Sequence, residues 1–159
     1  MDFQAAQPVT MCTSKVALAA GTTTTLSSTG TILYSIKGKA YSKSALSNTA
    51  TPTTDANSGN AFTAVQANQG CVFLVGLDHS GNLKVAQGSI QALDSSGKFI
   101  NAPQFGAIPS DFCPIGYIVI QVGSTGSAWT FGSSNLSGAT GVTYTFVDLM
   151  GLPDRPQVS

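Results

Sequence analysis

Apolar positions along this chain fall in short runs broken by Gly, Asn, Asp and Pro, and no long stretch recurs at helical spacing. Between Ser14 and Leu46 the runs SKVAL, TTTTL, TILYSI and AYSKSAL read as short strands. Thr, Val and Ile favour strands because a branched Cβ is stiff and packs well on a pleated surface. The Lys37-Gly38-Lys39 turn joins two of these runs as a hairpin, since Gly supplies the positive φ of a tight turn. Residues 47–60, with Pro52 and Gly59 and little bulk, predict an exposed loop. A second hairpin follows, CVFLVGL and LKVAQG around the turn Asp78–Asn82, and a further turn falls at Ser95-Ser96-Gly97. Asn101 to Pro114 contains three prolines and predicts an irregular crossover over the core. GYIVIQVG is apolar at successive positions and reads as a strand buried on both faces. WTFGSS, in which Trp129 and Phe131 alternate with polar neighbours, and VTYTFVDLM complete the strands. Only FTAVQANQG and DFCPIG would tolerate a helical turn.

This pattern predicts an all-β, β-sandwich or barrel-like (jelly-roll-like) single domain with extended termini. Its expected parts are an extended N-terminal arm over residues 1–13, a β-rich domain over 14–150 and a Pro-rich tail over 151–159. The arm and tail are the segments with no sheet to join. Strand addition to a neighbour's sheet edge and plain terminal disorder are the two fates open to them.

Composition sharpens the picture. Of 159 residues only 9% are charged, against about 25% in an average soluble domain. Seven Lys and Arg balance seven acidic residues, all of them Asp, and Arg155 is the single Arg. A helical bundle is disfavoured, because Glu, Lys and Arg build solvated helix faces. A neutral chain with one Arg is poorly equipped to neutralise phosphates, so no nucleic-acid partner is expected. Solubility usually rests on net charge, and in its absence the protein either relies on Ser and Thr hydroxyls for hydration or is permanently covered by a larger assembly. The start, MDFQAAQPVT, lacks the basic and apolar regions of a signal peptide. The longest apolar run, Cys71 to Leu77, is far short of the ~20 residues of a membrane helix. No membrane is expected, and synthesis in a cytoplasm is. Cys12, Cys71 and Cys113, odd in number and widely spaced, predict buried reduced thiols rather than a metal knuckle or disulfide framework.

Candidate chemistry is sparse. His79 lies in a hairpin turn between Asp78 and Ser80, but adjacent turn residues cannot face one another in triad geometry. It reads as a solvated turn histidine. The Asp residues at 2, 55, 78, 94, 111, 148 and 154 are spread along the chain, several beside turns, where Asp braces its own backbone. A glycosidase pair finds little support in that spread. GSTGSAWTFGSS is Gly-rich but precedes a strand, so it offers no helix N-terminus to a phosphate. Trp129 with Tyr144 or Phe146 could form a sugar-stacking platform; core or subunit-interface packing is the simpler role. No catalytic, cofactor-binding or metal-ligating residue is nominated, and no enzyme is expected.

Four runs carry a family resemblance: P-I-G-Y-I at Pro114–Ile118, W-T-F-G-S-S-N at Trp129–Asn135, A-T-G-V-T-Y-T-F-V-D at Ala139–Asp148, and L-P-D-R-P at Leu152–Pro156. With TPTTDANSGNAF and VFLVGLDHSGNLKVAQGSIQA, the chain resembles small structural proteins of tailed-bacteriophage virions over about two thirds of its length. The resemblance implies a capsid decoration or cement protein: β-rich, non-enzymatic, and a homo-oligomer, with a trimer favoured. Its implied partner is the major capsid protein and its implied location the capsid surface of the virion. It supplies no catalytic residues. The alternative is a tail-associated receptor-binding or carbohydrate-binding module, although no fibrous shaft accompanies it here.

Overall fold

A computed structural model describes residues 9–153 and 155–158. Eleven strands follow in order: β1 Met11–Cys12, β2 Ala19–Ala20, β3 Thr25–Ser27, β4 Ile32–Ile36, β5 Lys39–Lys43, β6 Thr49–Ala50, β7 Gln69–Leu77, β8 Leu83–Gln87, β9 Gln91–Ala92, β10 Cys113–Val122 and β11 Val142–Asp148. They form an all-β domain of three antiparallel sheets, ordered β1-β4-β5, β2-β3-β6 and β11-β10-β7-β8, with β9 pairing β7 beyond β8.

The five-stranded sheet is the scaffold. Strands β7 and β10 are central and buried on both faces, as continuous apolar runs require. From one face Cys71, Phe73, Val75 and Leu77 of β7 pack in one core with Leu26, Ile32 and Tyr34 of the two small sheets and with Val16 from the segment between β1 and β2. Phe62, Phe73, Trp129 and Phe131 form an aromatic cluster there, with ring centroids 4.8 Å apart for Phe73 and Phe131. The opposite face, Val72, Leu74, Tyr117 and Val119, is covered by the 99–112 crossover through Phe99, Phe105 and Phe112. Gly76 makes room for that cover. A Cβ there would lie 2.5 Å from Phe112 Cζ and 2.6 Å from the Cys113 carbonyl oxygen.

The hairpins fall where turn chemistry puts them. Ile36 pairs Lys39, and both intervening residues have positive φ, 50° at Lys37 and 83° at Gly38. The turns at Asp78 and Asp94 are copies of each other. In each, one Asp oxygen accepts the amides two and four residues on: Ser80 and Asn82, then Ser96 and Lys98. The strings Leu77-Asp78-His79-Ser80-Gly81 and Leu93-Asp94-Ser95-Ser96-Gly97 state the same rule twice.

Elsewhere the structure departs from expectation. SKVAL is not a strand; the Ala17 backbone turns at φ 50° and only Ala19–Ala20 joins a sheet. WTFGSS contributes a single bridge, Val65 to Trp129, because Phe131–Ser134 fold into a turn. FTAVQANQG and DFCPIG hold no helical turn: Val65 is committed to that bridge, while Gln69 and Cys113 begin β7 and β10. Residues 47–60 include β6.

The termini are also more engaged than expected. Residues 1–8, Asp154 and Ser159 lie outside the described residues, but Met11 and Cys12 pair Ser35 and Tyr34 within the domain. The Cys12 amide donates to the Met150 carbonyl, so the arm has a sheet to join. In the tail, Tyr117 Oη donates to the Gln157 carbonyl at 3.0 Å and accepts the Gln157 amide at 2.9 Å. Pro156 is buried, and Val158 packs beside Tyr117. A buried Tyr hydroxyl needs partners, and the tail backbone supplies both.

Candidate functional surface

The titratable side chains are mostly spent on backbone. Asp148 ends β11 and accepts the Ala17 and Leu18 amides with its two oxygens, 2.9 Å each. Asp55 accepts the amide and hydroxyl of Ser58 and the Gln87 amide. Burial pushes its carboxyl up, but these hydrogen bonds outweigh that and hold it below the ordinary value. Asp78 balances the same way: burial raises it, and Asn82 and Ser80 bring it below the usual carboxylate range. The Asp78 carbonyl also takes the Tyr34 hydroxyl at 2.8 Å, tying the hairpin to β4. A polar concavity of ≈ 450 Å³ lies beside Asp55, Ser58 and Gln87, whose polar atoms are those already engaged.

His79 has a partner that its neighbours in sequence did not suggest. Its amide and Nδ1 reach the two oxygens of Asp111 at 3.0 and 2.5 Å, joining the hairpin tip to the crossover. The His79 and Asp111 side chains are 61% and 44% exposed, where an ion pair is strongly screened. Among the described residues no hydroxyl hydrogen-bonds this ring, and no three His, Cys, Asp or Glu gather to hold a metal. No local pattern announces the His79–Asp111 pair, because 32 residues separate its members.

The cysteines are free and buried. Burial pushes the Cys71 and Cys113 thiols up to about 12, which makes them poor nucleophiles. Trp129 is 1% exposed and sits edge-on to Phe73, Phe131 and Tyr144, with Nε1 donating to the Asn135 carbonyl. It is a core anchor, and its face is closed to a sugar ring.

Besides its polar concavities the molecule offers water an open sheet face. In β4 the alternation buries Ile32, Tyr34 and Ile36 and turns Leu33 and Ser35 outward. Their cross-strand partners are Ser42 and Ala40 on β5 and, opposite Ser35, Met11 on β1. The outer face of this sheet therefore carries no charge. Leu33 is 48% exposed, and Val9 and Met150, which flank β1, are 48% and 60% exposed. The sequence signal was available in TILYSI, where an apolar residue occupies an outward position. No helix of the described residues is long and apolar enough to cross a membrane. Comparison with protein-family models, curated proteins and solved structures gives no match.

Proposed function

We propose that this protein is a non-enzymatic structural component of a bacteriophage virion, made in the host cytoplasm. In this reading it binds the outer surface of the capsid and stabilises the shell as a decoration or cement protein. The observation that carries the reading is the uncharged outer face of the β1–β4–β5 sheet, with Leu33, Val9 and Met150 exposed on or beside it. The sequence resemblance to small virion proteins and a net charge of +0 support it. The partner is the major capsid protein, and the contact is apolar and backbone-mediated rather than electrostatic.

Burial contributes ~25 cal/mol per Å² over an interface of ~1,600 Å², and only the surplus over ordering costs appears as affinity. Many copies on one particle, each a homo-oligomer, make modest sites effectively permanent. Salt screens exposed charge pairs and leaves apolar contacts alone, so the protein should stay bound at high ionic strength. The test is a comparison of complete particles with particles lacking the protein. The latter should assemble, but release DNA at lower temperature or under milder osmotic shock. Leu33→Asp should lower occupancy on the capsid without altering the fold. If particles lacking the protein are equally robust and instead fail to adsorb to cells, a tail-associated receptor-binding or carbohydrate-binding module is the correct reading.

A further inference from the structure

The geometry points to the free edge of β11 as a self-association site, where a second copy of this chain pairs antiparallel about a two-fold axis through Thr145. The direction of each peptide on β11 follows from two bonds. The Leu149 amide donates to the Ile115 carbonyl and the Gly123 amide to the Gly141 carbonyl. Odd-numbered residues of β11 thus turn their amides and carbonyls to β10, and even-numbered ones turn theirs outward. Val142 spends its outward amide on the Ala139 carbonyl, and beyond the strand Met150 accepts from Cys12. Among the described residues, the backbone groups of Tyr144 and Phe146 between them have no partner.

Other long edges are guarded. Strand β5 carries Lys39 and Lys43, and β8 is covered by the Ala56 amide on the Val85 carbonyl and by Asp55 on the Gln87 amide. Such charges and covers are how proteins blunt open edges. From Val142 to Val147, β11 is V-T-Y-T-F-V, without charge, Pro or Gly.

From Thr143 to Val147 the run is also symmetric by residue class about Thr145, which is why the occupant is a second copy. A two-fold axis there sets Tyr144 against Phe146 of the second copy, Thr143 against its Val147, and Thr145 against itself. Aromatic meets aromatic, branched meets branched, and no like charges face each other. About four ladder hydrogen bonds form, and the same patch serves both subunits, as an isologous dimer requires. Thr143 and Thr145 are exposed and Tyr144 and Phe146 half-buried, so the pairing removes further surface from water. A two-fold edge contact gives a dimer rather than the trimer the resemblance favours, and it does not depend on capsid binding.

The test uses the full-length protein alone, by sedimentation over a concentration series and by amide hydrogen exchange. A monomer–dimer equilibrium is expected, with the Tyr144 and Phe146 amides gaining protection as concentration rises. Thr145→Lys puts two ammonium groups face to face on an exposed position and should weaken the dimer about tenfold or more. Thr145→Asp should do the same, and mixing the two variants should restore a heterodimer. A protein that stays monomeric at every concentration, or forms only trimers, overturns the proposal. So does a dimer whose Tyr144 and Phe146 amides exchange independently of concentration, whether or not the variants fold.

Discussion

The two oxygens of Asp148 hold consecutive amides at Ala17 and Leu18, a segment whose backbone turns at φ 50°. A left-handed Ala is strained, so something must over-determine it. Asp148→Ala should therefore cost about 1.5–3 kcal/mol in chemical denaturation, with Asp148→Asn losing less because one oxygen remains. A loss within error of zero would mean the segment is fixed by packing alone. Asp55 and Asp78 act through acidity. Each is held below the ordinary carboxylate value, and an unfolded Asp titrates near ~3.9. Their contribution is complete above that value and is lost as pH falls through their lower native values. Stability measured from pH 6 down to pH 2 should fall below about pH 4, and Asp78→Asn should flatten that fall.

At the scale of elements, central strands impose conditions on whatever covers them. At Gly76 β7 leaves no room for a Cβ beneath the crossover, and the obstructing atoms include a backbone carbonyl that cannot rotate away. Gly76→Ala should destabilise by about 1–3 kcal/mol through overpacking. Gly97→Ala is the useful contrast. No atom lies within 4 Å of its added Cβ, but its φ is 78°, so any loss there is backbone strain alone. Equal effects from apolar reshaping around Phe112 and around Gly97 would contradict this division. The paired Asp-x-x-Gly hairpins need only the second condition, a φ of 78° at both Gly81 and Gly97, and each closes on its own Asp.

In the whole molecule, most of the pairing joins distant segments. Strand β1 meets β4 and the Met150 carbonyl, β7 lies between β8 and β10, and Asp148 reaches back to Leu18. Loops of this length must close before they are rewarded, so refolding from denaturant should take roughly milliseconds to seconds. Stopped-flow fluorescence of Trp129, which is buried only once the aromatic cluster closes, reports it directly. Relaxation on the microsecond scale would contradict the long-range character of the core.

The sequence by itself determined the strand-rich class, the hairpins at Lys37-Gly38 and Asp78, the turn at Ser95-Ser96-Gly97, and the double-sided burial of β10. Each rests on neighbours in the chain: a branched Cβ, an Asx turn, a positive φ, or an unbroken apolar run. Only the tertiary structure decided that Trp129 points inward, that Asp111 meets His79 and that Asp148 clamps Ala17 and Leu18. It also decided that Met11–Cys12 and the described tail residues fold back onto the domain. These outcomes depend on which distant backbone group is left unpaired once the sheets have formed. The same separation governs the surface. Alternation in TILYSI placed Leu33 outside, but whether β11 ends as an inner strand or an open edge depended on whether another segment arrived beside Tyr144 and Phe146.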